Sequence, residues 1–277
     1  MASLRDLKKR LAATKTTGQL AGAMRTVGTA KYAKTGAALS AARPFAEACR
    51  RLMDAAAAAS PAQEREEEPR NAPALYVLAA GNRGLCGGYN HNVFAFFDEI
   101  TKDVPELRAA ACGRMAAEHL KEKGAPPVRE FAVSDVPEYA QARGIAEYLL
   151  DEYGSGRAGE VYFVYQRFEN MLKQTPEIRR FLPAEEDPGE AEDLIFLPDA
   201  ATVKAELKPY CLTADILALL IQAAAGAHAA TVMAMRAAYD NAEKTAKRLE
   251  TRIHRRRQAE VTQSVLETSG DTDAMRT

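Results

Sequence analysis

A glycine-rich stretch, from Gly81 to Asn90, is the first candidate for chemistry in the sequence. Glycines that follow a strand allow backbone N–H groups to approach a phosphate, and this stretch follows the apolar run 74–80. A P-loop, however, ends in Gly-Lys-Ser or Gly-Lys-Thr, and a dinucleotide site has the spacing G-x-G-x-x-G. The glycines here lie at 81, 84, 87 and 88, with no lysine after them. The spacing therefore favours a tight turn with positive φ that exposes Arg83 and Cys86.

The cysteines and histidines lack the spacing of a metal or disulfide site. The cysteines are far apart in the sequence and form no C-x-x-C pair, which predicts reduced thiols. His228 falls on a predicted helix seam, where a packed histidine is expected rather than a ligand. The carboxylates lie in solvated runs, and no nucleophile motif is present, so the sequence predicts no catalytic residue, no metal site and no cofactor. The cysteines are Cys49, Cys86, Cys112 and Cys211, and the other histidines are His91, His119 and His254.

Size and composition indicate a folded protein. The chain has 277 residues, of which 47% are hydrophobic and 27% charged, enough for one large domain or two modest ones. No apolar stretch approaches 18 residues and the N-terminus does not resemble a secretory signal, so an intracellular protein that meets membranes only through partners is expected. Lys and Arg number 11 against 3 Asp and Glu in residues 1–59, 17 against 27 in 60–212, and 8 against 6 in 213–267. The flanks are therefore basic and the middle is acidic.

Residues 1–59 are predicted to form a long N-terminal helix. Ser3 can cap its start, and Leu4, Leu7 and Leu11 lie on one face. Four glycines, at 18, 22, 28 and 36, each cost roughly 1 kcal/mol against alanine, so tertiary packing must hold this helix together. Pro44 is expected to kink the helix or to mark a joint between two pieces.

The middle of the chain predicts a central α/β domain at 74–212, after an acidic, proline-containing linker at 60–73. Strand-like and helical segments alternate there, which is typical of a Rossmann-like domain with a mostly parallel sheet covered by helices. The acidic segment 184–193 is expected to be a loop before a short strand, Leu194–Leu197. Strands are predicted at 74–80, 107–112, 128–133 and 160–166, and helices at 91–102, 113–123 and 136–153.

The segment 213–267 predicts a second long helix, because it contains no proline and only one glycine, Gly226. At about 1.5 Å per residue this helix would be roughly 80 Å long, too long for a core helix of the central domain. Apolar positions follow one another in alternating steps of three and four, which is the pattern of a coiled coil. Residues 268–277 are expected to be a flexible tail. The predicted seam is Ile221, Ala225, His228, Val232, Met235, Tyr239, Ala242, Ala246, Leu249 and Ile253.

The two terminal helices bury their seams most economically against each other. The first ends where the central domain begins and the last begins where it ends, so they must form a long antiparallel coiled coil. The basic residues near both chain ends, 5–10 and 255–257, should then gather at the far tip. No aromatic residues are interleaved with these basic runs, which argues against nucleic acid as a partner.

Three separated stretches resemble the gamma subunit of F-type ATP synthase, the central rotor shaft. Arg43 to Glu47 matches the family's Arg-Pro-aromatic-Ala-Glu sequence, and Arg83 to Asn90 is close to its signature loop. Arg257 to Gln263 reads Arg-Gln-Ala-Glu-Val-Thr-Gln, similar to the family's Arg-Gln-x-x-Ile-Thr-Gln. Further matches are Leu20, Ala23, Met24, Val27, Ala30 and Lys31 in the first helix, and Met235, Asp240, Asn241 and Ala242 in the last.

The resemblance implies a non-catalytic subunit that rotates inside a hexamer of alpha and beta subunits. Its rotation would couple proton or sodium flow to ATP synthesis or hydrolysis. The α/β domain would sit on the epsilon subunit and the ring of c subunits, at the cytoplasmic face of a bacterial plasma membrane. By the same resemblance, Met24 lies near the acidic C-terminal loop of a beta subunit, and Arg83 and Cys86 face a beta subunit. Arg257 and Gln258 would be polar contacts to the catalytic subunits.

The sequence also departs from the family pattern. Gly226-Ala227 replaces the usual Ser-Glu, Thr231 replaces an Arg, and Ser264 replaces a Glu after the Thr-Gln pair. The loop opens with Gly81-Asn82 in place of Ser-Asp. These changes remove polar and charged groups from the shaft surface and bear on the strength of coupling.

Two other classes of function stay open at this point. A free-standing α/β enzyme with helical arms would turn over a substrate as a monomer. A basic coiled-coil adaptor for nucleic acid would bind with an affinity that falls steeply with salt. A torque-transmitting shaft, by contrast, requires a stiff asymmetric rod and no active site.

Overall fold

The computed structural model describes residues 3–60, 72–184 and 194–274, with side chains described as far as Leu266. Most of the predicted linker (61–71) and of the predicted acidic loop (185–193) lies outside the described residues. Five helices and five strands occupy the described residues. They are α1 (Leu4–Ala59), β1 (Leu75–Ala79), α2 (Tyr89–Ile100), β2 (Arg108–Cys112), α3 (Arg114–Glu122), β3 (Arg129–Phe131), α4 (Tyr139–Gly154), β4 (Val161–Phe168), β5 (Gln174–Leu182) and α5 (Ala200–Ala274).

The strands form one five-stranded sheet in the order β3-β2-β1-β4-β5. The pairs β1–β2, β1–β4 and β2–β3 are parallel, and only the edge pair β4–β5 is antiparallel. In the central register Val77 lies opposite Ala110 on one side and Phe163 on the other. The predicted α/β class with a mostly parallel sheet is therefore confirmed.

Each face of the sheet is covered by helices. On one face, α4 and α5 bury Leu149 and Ile216 in the same cluster as Val77 and Phe163. On the other face, α2 and α3 bury Phe97 and Leu120 against the alternate strand residues. This division follows from the strand period of two, which sends successive side chains to opposite faces.

The start of α1 confirms the predicted cap. The Asp6 N–H donates to Ser3 Oγ at 3.1 Å, and the Ser3 N–H donates to Asp6 Oδ2 at 3.2 Å, so two N-terminal donors are satisfied. The helix then continues through Pro44 to Ala59. The predicted joint at Pro44 was wrong as a division of the helix. A proline removes one helix hydrogen bond, and burial of Ala42 and Ala46 on either side holds the helix across it.

The C-terminal helix begins earlier than predicted, at Ala200 instead of Thr213. Asp199 caps its start, because the Thr202 N–H and hydroxyl donate to the Asp199 carboxylate at 2.8 and 2.9 Å. Pro209, a residue type that disfavours a helix interior, lies inside this earlier part of the helix. At the other end, the segment expected as a tail from residue 268 is helical as far as Ala274.

The antiparallel edge of the sheet was not predicted. β5 contains Pro176 and three charged residues, and it has no regular alternation of apolar side chains. An edge strand tolerates both features because one side of its backbone needs no partner. The short strand predicted at Leu194–Leu197 was wrong: these residues form no strand, and Ile195 and Leu197 are exposed.

The chain divides into two compact units, and the division lies within both long helices. The helical unit contains residues 1–27 and 234–277, and the sheet unit contains residues 28–233. Part of α5 is long and apolar enough to cross a membrane by length and composition alone, with half of that stretch buried. Leu212, Ile216 and Leu220 of α5 belong to the sheet core, so this apolar character is that of a core helix.

Candidate functional site

The glycine-rich loop between β1 and α2 forms the predicted tight turn. Leu85 and Gly87 have φ values of 62° and 59°. Asn90 closes the turn from the first helical positions: its Oδ1 accepts from the Gly81 N–H at 3.0 Å, and its Nδ2 donates to the Arg83 carbonyl at 3.3 Å. The loop is thus held by its own residues.

The loop exposes only one of the two side chains expected at the surface. Arg83 is exposed as predicted, whereas Cys86 is only 4% exposed and points its Sγ toward the Arg83 carbonyl at 3.8 Å. The surface prediction was therefore wrong for Cys86. Leu85, which sequence reasoning missed, is 62% exposed. Its positive φ could be anticipated only from the turn, because leucine itself disfavours that conformation.

The carboxyl edge of the sheet, where α/β folds bind nucleotides, is covered by α5. The Tyr89 hydroxyl donates to the Ala223 carbonyl at 2.7 Å, and Gln166 Nε2 donates to the Tyr89 carbonyl at 3.0 Å. Gly226 allows this approach, because a Cβ there would lie 3.1 Å from Tyr89 Cε2. The departure from the family pattern at Gly226 thus makes room for the Tyr89 ring.

The space that remains at this edge is about 50 Å³, lined among others by Asn82, Asp135 and His228. This is room for a few waters and not for a nucleotide. In the described part of the chain, no group of three or more His, Cys, Asp or Glu residues could hold a metal ion. At the carboxyl end of β1, the side chains therefore pack against helices and do not line a cleft for a ligand.

A polar cluster ties both long helices to the loop after β3. Lys31 Nζ of α1 lies 2.6 Å from Asp135 Oδ2, and His228 Nε2 of α5 lies 2.9 Å from the Asp135 carbonyl oxygen. The hydrogen bond from Lys31 lowers the pKa of Asp135, and burial lowers the pKa of His228. A neutral His228 therefore donates Nε2–H to the carbonyl. The predicted packed histidine is confirmed, and Lys31, named only by resemblance, has a structural role.

The seam predicted on α5 is confirmed by burial. Nine of its ten positions are buried or half-buried, and the remaining one, Tyr239, is 37% exposed. Beyond Ile253 every described side chain is exposed, so the seam ends at the residue predicted.

A matching seam on α1 was missed by sequence reasoning beyond Leu11. Its positions alternate in steps of three and four along the whole helix, and none of them is exposed. The signal was present, but glycine, alanine and threonine occupy many of the positions, and the glycines were interpreted only as a cost to helix stability. The seam is Leu4, Leu7, Leu11, Thr14, Gly18, Ala21, Arg25, Gly28, Tyr32, Thr35, Leu39, Ala42, Ala46, Cys49, Met53 and Ala56.

Within the helical unit, the small residues of α1 permit close approach. A Cβ at Gly18 would lie 3.2 Å from Ala242 Cβ, and one at Gly22 would lie 3.4 Å from Tyr239 Cδ2. Lys15 Nζ pairs with Glu250 Oε1 at 2.7 Å. Residue numbers fall along α5 as they rise along α1, so the two segments are antiparallel.

The sheet unit contains its own stretch of the same pairing. A Cβ at Gly28 would lie 3.1 Å from Val232 Cγ2, Leu39 and Ala42 share a cluster with Ile221, and Arg50 pairs with Asp215. The antiparallel pairing of the terminal helices predicted from chain topology is therefore present within each unit.

The remaining residues expected to contact partners lie in the helical unit. Met24 is half-buried, and Leu20 and Val27 beside it on α1 are 61% and 55% exposed. Arg257 and Gln258 lie beyond the seam and are exposed. Arg83 belongs to the sheet unit, and Met24 on α1 and the pair Arg257 and Gln258 on α5 are separate positions of the helical unit.

Comparison with known proteins gives the family. A family model described as ATP synthase matches residues 3–275. The ATP synthase gamma chain of Pelotomaculum thermopropionicum is 33% identical over 285 residues, covering 99% of this chain and 100% of that protein. The chain belongs to the ATP synthase gamma-chain family. The gamma chain of Moorella thermoacetica, at 32% identity over 285 residues, covers 100% of both chains.

Solved structures agree on the fold. The rotor of the Euglena gracilis mitochondrial ATP synthase matches with a TM-score of 0.67 at 18% identity, covering 93% of this chain and 98% of that one. A chain of the Euglena gracilis OSCP/F1/c-ring assembly matches with a TM-score of 0.69 at 16% identity, covering 98% and 94%. As a member of the gamma-chain family, the protein is part of an ATP synthase complex, and the alternative of a free-standing enzyme is not favoured.

Proposed function

We propose that the chain is the central-stalk rotor subunit of a bacterial F-type ATP synthase and has no catalytic site of its own. It turns inside the hexamer of alpha and beta subunits and couples proton or sodium translocation to ATP synthesis or hydrolysis. The observation that carries this proposal is the paired seam of the terminal helices in a chain that matches gamma chains from end to end. A shaft of this kind needs two helices in fixed register, which the seams supply within each unit.

The partners follow from the same reasoning. The helical unit contacts the alpha and beta subunits, and the sheet unit contacts the epsilon subunit, the c-ring and, through its glycine-rich loop, a beta subunit. The relatives support this assignment, because one was solved as a rotor and another within an OSCP/F1/c-ring assembly. The complex lies at the cytoplasmic face of the bacterial plasma membrane, and the chain meets the bilayer only through these partners.

Surface chemistry supports contacts at the named residues. The apolar stripe of Leu20, Met24 and Val27 suits an apolar surface next to the acidic C-terminal loop of a beta subunit. Arg83 and Leu85 face outward from the glycine-rich loop toward a beta subunit, so the contact expected of Cys86 is made by its exposed neighbours.

The far end of the helical unit presents a second set of contacts. Arg257 and Gln258 meet acidic and polar groups of the catalytic subunits, and such charge assists register more than net affinity. The basic residues 5–10 and 255–257 are exposed, and the antiparallel pairing of Lys15 with Glu250 places both runs toward the same end.

Rotation tests the proposal directly. The chain with Leu172→Cys, a change at a side chain that is 80% exposed, is co-expressed with the alpha and beta subunits of the same bacterium and labelled with a bead. ATP is expected to drive rotation of the bead in one direction, and the same complex without nucleotide is the control. A chain that fails to assemble with alpha and beta, or that hydrolyses ATP alone, would contradict the proposal.

A further inference from the structure

Two cysteines meet between the terminal helices of the sheet unit. Cys211 of α5 directs its Sγ to the carbonyl oxygen of Cys49 on α1, at 3.4 Å, although 162 residues separate them in the chain. Both residues are free thiols. Cys49 belongs to the α1 seam, and Cys211 lies on an extension of the α5 seam, because steps of three, four and three lead back from Ile221 to 218, 214 and 211. The 3.5-residue repeat therefore directs both side chains into the same interface.

A cavity gives this pair access to small molecules. A space of about 370 Å³ adjoins Cys211 and is lined also by Arg50, Met53 and Lys208. Cys49 itself is half-buried. A peroxide is far smaller than this cavity and can reach Cys211 through it, and Cys49 is accessible at its own partly exposed surface, without unfolding of the helices.

The other two thiols have different surroundings. Cys86 is 4% exposed and faces the Arg83 carbonyl, and Cys112 is 2% exposed within the sheet core. Burial raises the pKa of the Cys112 thiol to about 12. Cys112 thus behaves as an inert structural residue, because the reactive form of cysteine is the thiolate.

We propose that Cys49 and Cys211 form a disulfide when the protein meets a peroxide, and that this bond links α1 to α5 covalently. The Cys49 thiolate attacks one peroxide oxygen, the O–O bond breaks and hydroxide leaves, which produces a sulfenic acid at Cys49. The Cys211 sulfur then attacks the Cys49 sulfur, the S–O bond breaks and water leaves with the Cys211 proton. In sum, two thiols and one hydrogen peroxide give one disulfide and two waters, and a dithiol reductant reverses the change.

Both steps require a thiolate, so the rate of disulfide formation depends on pH. Burial, the neighbouring Cys49 thiol and Asp215 together raise the pKa of the Cys211 thiol. Arg50 and Arg179 pair with Asp215 at 3.1 and 3.0 Å, so its negative charge is largely balanced. Because only the thiolate attacks, disulfide formation is expected to accelerate as pH rises above 7.

The test uses the full-length chain treated with hydrogen peroxide, after which free thiols are alkylated and peptides are identified by mass. Wild type and the control variant Cys86→Ala/Cys112→Ala are both expected to yield a Cys49–Cys211 linked peptide that a dithiol removes. Cys49→Ser and Cys211→Ser should yield none. Oxidation of Cys49 to sulfinic acid without a linked peptide in wild type, or a disulfide through another pair, would overturn the proposal.

Thermal unfolding supplies a second measurement. A link across 162 residues restricts the unfolded chain, so peroxide-treated wild type should unfold at a temperature higher by about 4 °C or more. The dithiol should reverse this shift, and Cys49→Ala should show none. An equal shift in wild type and in Cys49→Ala would overturn the proposal even if a serine variant failed to fold.

Discussion

The sheet unit and the helical unit are stabilised by different kinds of side chain. The sheet unit buries large apolar residues completely, among them Phe97, Leu149 and Phe163, each 0% exposed. The helical unit buries mainly small residues, such as Ala21 at 5% and Ala246 at 8%. Hydrophobic stabilisation scales with the apolar area removed from water, so the free energy of folding is concentrated in the sheet unit.

The polar contacts of the two units also differ in burial: the sheet unit has a buried charged group, and the helical unit has an exposed ion pair. Glu152 in the sheet unit is buried and accepts from Arg108 and Arg157 at 2.8 Å each. The Lys15–Glu250 pair of the helical unit is at the surface, with side chains 56% and 40% exposed, where an ion pair contributes little. The geometry of the helical unit is thus fixed by the register of its paired seams more than by a large free energy of folding. Such a unit suits a role in which partner subunits surround it and supply further contacts.

The largest expected effect is a truncation in the sheet core. Phe163→Ala removes a fully buried ring that contacts Phe181 at a centroid distance of 4.6 Å. We expect a loss of about 3–5 kcal/mol in the free energy of unfolding, measured by urea denaturation. Phe45→Ala, the same change at a side chain that is 52% exposed, is the matched control and should cost less than about 1 kcal/mol. Similar losses would contradict the assignment of the core to the sheet.

The next effect depends on pH. Burial raises the pKa of Glu152, but hydrogen bonds from Arg157 and Arg108 outweigh it and leave the pKa below the ordinary glutamate value of 4.5. The ionised group therefore stabilises the fold above the unfolded pKa, and this contribution is lost as pH falls through the folded pKa. Glu152→Gln should cost about 1–3 kcal/mol at pH 7, and its difference from wild type should shrink below pH 4.5.

The neighbouring pair on α4 is the control for this change. Arg143 and Glu147 form an ion pair whose side chains are 65% and 59% exposed. Glu147→Gln should leave the urea midpoint nearly unchanged at either pH. A Glu152→Gln cost that stays constant from pH 7 to pH 3 would show that the lost group stabilises by packing and not by its charge.

Much of the sheet unit could be predicted from the sequence, because parallel strands buried on both faces are apolar runs separated by helices. β5 escaped prediction since its side chains alternate poorly and Pro176 argues against a strand. The early start of α5 escaped because the helix was predicted only over the proline-free segment 213–267, although Asp199 followed by Thr202 is a capping pattern.

Of the two seams that pair in the helical unit, only the α5 seam was predicted along its whole length. The α5 seam was readable because Met235, Tyr239 and Leu249 are apolar and regularly spaced. The α1 seam has Gly18 and Gly28 at its positions, and residues without large side chains give no hydrophobic period.

Burial of Cys86 was also not predictable, because it depends on how the loop folds back beneath Arg83.

A charge in the seam of the helical unit is expected to act on coupling more than on stability. Leu249→Asp places a carboxylate at a half-buried seam position. It should cost about 1 kcal/mol of stability and lower the number of ions pumped per ATP in inverted membrane vesicles. Thr245→Asp adds the same charge at an exposed position one turn away and should leave pumping unchanged. Full pumping with Leu249→Asp would mean that register in the helical unit is not required.

The smallest expected effect is a difference in stability between two glycine-to-alanine substitutions in α1, one at a seam position and one outside the seam. A Cβ at Gly36 meets no atom within 4 Å, so Gly36→Ala should stabilise by about 0.5–1 kcal/mol through helix propensity alone. A Cβ at Gly18 would lie 3.2 Å from Ala242 Cβ, so Gly18→Ala must move the opposing helix, and most of that gain should be lost. The thermal midpoint, followed by circular dichroism, measures both. Equal gains would mean that the helices of the helical unit separate freely at Gly18, and the small residues there would then reflect something other than close packing.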